Sequence, residues 1–306
     1  MNPVVTLGVC ARNSEKTVGG AIESIIDQDY PHDLIQIIFI DDGSIDHTPQ
    51  IMADYAKKMD IKATIFRTIW KGLGPARNIV FRNASGKYIL WVDADEVLTK
   101  SYVRKQVQFM EKNPRIGITS GIIKLSSGNI ILSLEHIPDI VNRLNYGKPR
   151  SFFWKTDKMP GTGGSTYRKV ALAEVKGFDE KVTGVGEDQE VAKRIQDAGW
   201  LFQFNYAEFY ELHGGLANFK DLGKKYLWYG KGGHKLYSQN RRIFSLLRMS
   251  PVGGLAAGFL YSLRGYKIFH QKQVFLLPIH YTFKMTAWML GFMKSQFDSS
   301  VQSSKH

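Results

Sequence analysis

Along the first hundred residues, apolar positions switch repeatedly between unbroken runs and helical spacing. Residues 4–10 form an apolar run that predicts a strand. Residues 15–28 instead carry Val18, Ile22, Ile25 and Ile26 at helical intervals, with Ser14 as a cap and Pro31 beyond the end. A second strand is predicted over 34–40, stopped by Asp41-Asp42-Gly43. Thr48-Pro49 then opens a helix, with threonine as N-cap and proline at the first helical position. The pattern repeats with a strand over 61–66, a helix over 75–83 and a strand over 88–92. Strands alternating with helices at this pace predict an α/β fold on a parallel sheet covered on both faces. Such sheets bind ligands beyond the carboxyl ends of their strands.

Residues 101–113 read as a helix, and 116–123 and 129–134 as two further strands. The stretch 145–168, rich in Gly, Pro, Lys and aromatics, predicts a mobile loop followed by a short strand. A short helix is expected over 187–198, ending at Gly199. From about residue 240 the pattern changes. Uncharged stretches over 249–263, 273–283 and 285–293 run for 15, 11 and 9 residues. Each is shorter than the ~20 apolar residues that span a bilayer. They predict amphipathic helices lying in a membrane interface, with Arg241, Arg242, Arg248, Arg264, Lys267, Lys272 and Lys284 at headgroup level. An ordinary apolar subdomain or subunit surface is the plainer alternative.

Charge sharpens that division. Residues 221–306 hold 13 Lys and Arg against two acids, Asp221 and Asp298, a net +11 of the chain's +13. A nearly neutral body with a basic, apolar tail points to an anionic membrane surface as partner. Nucleic acid ranks lower, because no nucleic-acid-binding motif is present. The single cysteine, Cys10, excludes an internal disulfide and fits a reducing compartment. Residues 1–12 do not read as a secretory leader, since they lack a basic start.

The carboxylates of the body cluster where strands stop. Asp93-Ala94-Asp95 follows a buried run, and two acids at i and i+2 can converge on one hard cation that neutralises a diphosphate. Taken alone, such a triplet is more often a solvated turn. Asp41-Asp42-Gly43-Ser44 can hold a ribose hydroxyl or base N–H, or can simply make a tight turn. Lys71 to Arg77 places two glycines and two cations at a helix start, suited to phosphate or base, although a glycine loop with a surface arginine is the plainer reading. Glu187-Asp188 opens a helix, where acids serve either the helix dipole or general-base chemistry. His213, followed by two glycines, is a candidate ligand, although lone histidines are more often structural.

In their order these motifs resemble the family 2 glycosyltransferases of GT-A fold. "IIFIDDGSIDHT" is similar to the nucleotide-binding segment, and "GPARNIVFRNASGKYILWVDADEVL" to the arginine-bearing helix running into the DxD strand. "NSEKTVGGAIESIIDQDYP", "GTGGSTYRKVALAEVKGFDE" and "GEDQEVAKRIQDAGW" resemble the first helix, the loop ahead of the acceptor site and the helix bearing the base. The resemblance covers about 3–215 and implies a catalytic domain over 1–220; the basic, apolar pattern predicts a membrane-interfacial helical region over 221–298, and the Ser-rich composition a disordered end over 299–306. It implies that Asp41, Asp42, Arg77, Asp93 and Asp95 bind the donor nucleotide, with Mg²⁺ or Mn²⁺ on Asp95, Asp93 and His213. It implies Asp188 as base with Glu187 in support, and Gly163, Gly164 and Ser165 as the sugar and acceptor pocket. The implied activity is metal-dependent, inverting transfer from a UDP- or GDP-sugar to a hydroxyl acceptor. A lipid-linked or polysaccharide glycan on the cytoplasmic side of the cell membrane is the expected acceptor, with the protein peripheral or monotopic there. A dolichyl- or polyprenyl-phosphate sugar synthase is the alternative. A catalytically silent sugar-nucleotide-binding protein is the alternative from another class.

Overall fold

The apolar run near the start becomes β1 (Val5–Ala11), flanked by two parallel neighbours, β2 (Ile35–Asp42) and β4 (Tyr88–Trp91). All of β2 is buried, Gln36, Asp41 and Asp42 included, as expected of a strand covered on both faces. Beyond it lies the edge strand β3 (Lys62–Thr68), whose residues are half-buried or exposed. Helices α1 (Val18–Ile26), α2 (Thr48–Lys58) and α3 (Leu73–Asn83) connect these strands. This half of the sheet is parallel, as expected.

The other half departs from a purely parallel sheet. The order is β3-β2-β1-β4-β7-β6-β8-β5, with β5 (Glu96–Leu98), β6 (Ile116–Ile123), β7 (Ser165–Arg168) and β8 (Leu201–Glu211). Strand β7 runs antiparallel to both β4 and β6, and β5 antiparallel to β8. Helices α4 (Tyr102–Lys112), α6 (Lys169–Glu174) and α7 (Glu187–Asp197) complete this part of the chain. The core beneath the strand ends is aromatic: Trp91 meets the edges of Tyr167 and Phe178 with centroids 6.2 and 5.5 Å apart.

The structure describes residues 3–125, 128–146, 161–182, 185–212, 218–239, 241 and 245–303 of this computed structural model. They fall into two units, 1–124 with 146–214, and 125–145 with 215–306. The expected strand over 129–134 is absent: the segment is the start of helix α5 (Ile130–Tyr146) in the second unit. Asn129 caps it, its Oδ1 accepting the N–H groups of Ile131 and Leu132 at 3.0 and 3.1 Å. The buried Leu134, Ile137 and Val141 continue the apolar pattern at helical spacing, which a short window around Ile130 does not reveal.

The rest of the second unit is α8 (Phe219–Gln239), α9 (Pro251–Phe269) and α10 (Leu277–Ser303). Helix α10 thus reaches Ser303, into the stretch expected to be disordered. Arg241, Arg248, Arg264, Lys267 and Lys272 are exposed, and Arg242 lies outside the described residues. Lys284 does not take the exposed headgroup position expected of it. It is one turn beyond the buried His280 and turns inward, so that both reach Glu135 of α5. Glu135 Oε1 accepts from Lys284 Nζ at 2.8 Å and pairs with His280 Nε2 at 2.7 Å, while its Oε2 accepts from the Tyr226 hydroxyl at 2.8 Å.

Burial opposes ionisation of Glu135, but Lys284 and His280 outweigh it and hold the carboxyl well below its ordinary range. A folded value below the unfolded one stabilises the protein fully above the ordinary range, and that stability is lost as pH falls through the depressed value. Lys284→Met should lower the unfolding free energy at neutral pH by about 2 kcal/mol, because two of the three groups on Glu135 remain. Its melting curve should begin to approach that of the wild type as the pH falls below the ordinary carboxylate value of about 4.3 and should meet it only below the depressed Glu135 value.

Candidate active site

Strands β1, β2 and β4 end together, and the predicted carboxylates lie at those ends. Asp41 is buried and works as a turn former: Oδ1 accepts the Ser44 N–H at 3.0 Å and Oδ2 the Arg67 Nε–H at 3.3 Å. Asp42, also buried, uses Oδ1 to accept from the Thr68 hydroxyl at 3.1 Å and the Lys71 N–H at 3.2 Å. It therefore ties the end of β2 to the glycine-containing loop before α3. The tight turn expected over Asp41-Asp42-Gly43-Ser44 is thus closed by Asp41, not by Asp42.

Arg77, on the first turns of α3, is the hub. Its guanidinium is buried, 6.0 Å from the centroid of Trp91 and 5.8 Å from that of Phe178. It donates through Nη1 to Glu187 Oε1 and lies with Nη2 3.7 Å from Asp93 Oδ1. One cation thereby holds the strand end carrying Asp93 and the helix start carrying Glu187. Burial works against its charge, but Glu187 and Asp93 outweigh that and raise its pKa above the ordinary value. Burial pushes the Glu187 carboxyl up, Arg77 pulls it back, and the neighbouring Asp188 adds to the rise. Asn78 fastens the approach to α7, donating to the Phe178 carbonyl and accepting the Phe178 N–H, each at 2.9 Å. Asp188 is half-buried in the first turn of α7, its Oδ1 accepting the Gln189 N–H at 2.7 Å.

Asp93 and Asp95 are both partly exposed at the turn after β4. What shapes that turn is Glu96, which sequence reasoning left without a role. Its buried Oε2 accepts the Asp93 N–H and the Gly164 N–H, both at 3.0 Å. Burial, then the Asp93 charge, raises the Glu96 carboxyl well above its ordinary value. Gly163 fits against it because it has no side chain: a Cβ there would strike Glu96 Oε1 and sit 3.0 Å from Asp93 Oδ2. Gly164 adopts a positive φ of 59° with the Phe209 ring pressed against it. Ser165 is fully buried and donates from Oγ to the Gly161 carbonyl at 2.6 Å. A second tie joins the turn to β8, where the Leu212 N–H donates to the Asp95 carbonyl at 2.6 Å. The next residue, His213, lies outside the described residues.

A divalent cation suits the donor set at this turn. Asp93 and Asp95 present hard carboxylate oxygens on accessible residues. No group of three or more His, Cys, Asp or Glu that could hold a metal occurs among the described residues. The two acids alone therefore make a partial shell, of the kind completed by water and a ligand's phosphate oxygens.

The family model of Glycosyl transferase family 2 matches residues 6–175, over half of the chain. The chain belongs to this family. The "Probable glycosyltransferase YdaM" of Bacillus subtilis is 25% identical over 207 residues, which cover 66% of this chain and 49% of that protein. The poly(ribitol-phosphate) beta-N-acetylglucosaminyltransferase TarS of Staphylococcus aureus is 31% identical over 101 residues, 33% of this chain and 18% of that one. The chain thus matches between about a fifth and a half of the length of these relatives. Among solved structures, the mannosyltransferase PcManGT from Pyrobaculum calidifontis, in complex with GDP-Man and Mn²⁺, superimposes with a TM-score of 0.68 at 17% identity, covering 97% of this chain and 88% of that one. Residues 1–349 of TarS with UDP-GlcNAc give 0.52 at 17% identity, covering 96% and 92%. At these identities the likeness establishes the fold, which is GT-A.

Proposed function

We propose that this family 2 member transfers a sugar from a nucleoside-diphosphate sugar to a hydroxyl acceptor, with inversion at the anomeric carbon. The observation that carries the reading is the Arg77 bridge between Asp93 and Glu187, which sets a donor end and a base end on one rigid support. Asp42 and the loop it holds receive the nucleoside. Asp93 and Asp95 would hold Mg²⁺ or Mn²⁺, as the Mn²⁺ named with the Pyrobaculum calidifontis mannosyltransferase of similar fold suggests. When bound, the cation supplies charge neutralisation for the departing diphosphate.

The remaining chemistry belongs to the chain. Asp188 removes the proton from the acceptor hydroxyl as its oxygen attacks the anomeric carbon opposite the leaving group. The bond to the diphosphate oxygen breaks as the new glycosidic bond forms, so the product is inverted. Glu187, bound to Arg77, positions the helix start that presents Asp188. Glu96 holds the Asp93 turn against the Gly163-Gly164 loop, which faces the sugar. Reading Asp188 as a base favours a hydroxyl over a phosphate acceptor, because a lipid phosphate is already ionised. The acceptor is read as a lipid-linked or polysaccharide glycan at a membrane.

A panel of UDP- and GDP-sugars with Mn²⁺, Mg²⁺ or chelator, read as nucleotide release and acceptor glycosylation, tests the reading. Cation-dependent transfer from one donor with inverted product is the expected result. Transfer only to a polyprenyl phosphate would replace the hydroxyl acceptor, and binding without turnover in any combination would reject the enzyme. Gly163→Ala should cut kcat/KM by on the order of 10²-fold, since displacing Glu96 and Asp93 misplaces the donor.

A further inference from the structure

Helix α9 is built inside out. Its buried positions are Gly254, Gly258, Ser262 and Gly265, one stripe of small residues at intervals of four, four and three. A Cβ at Gly254 would sit 2.8 Å from both the Tyr281 carbonyl oxygen and Met285 Cγ, and one at Gly258 would strike the backbone at Leu277 and Pro278. Helix α9 therefore lies backbone to backbone on α10. Ser262 turns its hydroxyl onto the carbonyls of Gly258 and Val274, at 2.9 and 2.8 Å.

Tyr261 and Phe269 pack onto the buried cluster around Ile137 and Val274, but the other large apolar side chains of α9 point the other way. Val252, Phe259 and Leu263 are 71%, 59% and 61% exposed, and Leu255 lies on the same stripe. Helix α10 buries Leu277, Met285, Trp288 and Phe292 on one side but carries a second apolar stripe outward, with Leu290 and Phe297 51% and 68% exposed. Ile279 is 67% exposed, whereas His280 and Lys284, the polar residues beside it, are 1% and 5% exposed. A helix on a water-facing surface does the reverse, burying its large apolar stripe. Small residues at the helix contact with bulky apolar ones outside is the arrangement that suits hydrocarbon.

We infer that the outward stripes of α9 and α10 seat in the headgroup–hydrocarbon boundary of an anionic phospholipid bilayer. No helix among the described residues is long and apolar enough to cross a membrane, so the contact is one of lying in the surface. Exposed Arg264 and Lys267 flank the stripe on α9, and exposed Lys272 follows its end. These cations suit lipid phosphates at the depth where the apolar side chains end. Charge also separates this occupant from a second copy of the chain. Two such faces would bring their own basic residues together, from a region that carries +11 over 221–306. The inference deepens the reading of a membrane-borne acceptor, and its test reads binding, so it fails or holds separately from sugar transfer.

The full chain is floated with vesicles of phosphatidylcholine alone and of phosphatidylcholine with phosphatidylglycerol, at low and high salt. Binding to the anionic vesicles is expected, weakened by salt. Phe259→Asp with Leu263→Asp, and separately Arg264→Glu with Lys267→Glu, should each raise the apparent Kd by about tenfold or more. Circular dichroism and donor-site nucleotide affinity should not change, because these side chains point away from the packed core. Equal binding to both vesicle types, no binding to either, or wild-type binding by both double variants would overturn the inference. So would a dimer in sedimentation that Phe259→Asp dissociates while vesicles fail to bind. Vesicle binding without any sugar transfer would reject the proposed enzyme and leave the docking face standing.

Discussion

Asp188→Asn should lower kcat for sugar transfer by about 10³-fold, while donor affinity stays close to that of the wild type. An amide keeps the shape of the carboxylate and can still accept the Gln189 N–H. It cannot take up the acceptor's proton. Asp188 and Glu187 are neighbours in sequence, yet their surroundings divide their work. Glu187 is buried and committed to Arg77, whereas Asp188 is half-buried beside the glycine-containing loop: a Cβ at Gly161 would lie 3.2 Å from Asp188 Oδ2. Single-turnover rates and nucleotide-sugar titrations on the same preparations separate chemistry from binding. Unchanged transfer would remove Asp188 from the mechanism. Equal loss for Glu187→Gln, with weakened donor binding, fits a residue that positions rather than reacts.

Arg77→Met should destabilise the protein by about 3–5 kcal/mol, because it leaves Glu187 buried without its cation. The methionine occupies a similar space between Trp91 and Phe178, so packing loss is a small part of the effect. Urea unfolding measures it. Adding Glu187→Leu should recover most of the loss, since removing both charges avoids the uncompensated one. If the single variant unfolds like the wild type, the ion pair does not support the site. The double variant, stable but inactive, would show that the bridge serves geometry at the strand ends beyond its contribution to stability.

The parallel half of the sheet was legible because its signals are local. The blocks over 4–10, 34–40, 61–66 and 88–92 are short, mostly apolar and rich in β-branched or aromatic residues, and each became a strand. Their terminal acids were legible for the same reason. Strand β8 was missed although its Phe and Tyr residues alternate with polar ones, a usable strand signal. The segment starting at Ile130 misled because three consecutive apolar residues fit either element, and the deciding residues lie a full turn or more further on. Within the site, Arg77 was expected near the nucleotide. Its pairing with Glu187, 110 residues away, has no trace in local spacing. Glu96 looked like a turn residue next to two better acids, and only the approach of Gly163 and Gly164 gives it a task.

By itself, the sequence determined where the strands of the parallel half lie, which carboxylates stand at their ends, and that positive charge gathers in the last third. Those properties follow from backbone preference and composition, which need no distant partner. The tertiary structure alone decided which side of a helix is inside. Lys284 is drawn in by Glu135, and α9 turns Gly254, Gly258 and Gly265 inward and its leucines and Phe259 out. Burial depends on what each face meets, and for these helices the closest fit comes from the smallest residues. That choice converts an ordinary-looking apolar tail into a surface whose polarity is reversed.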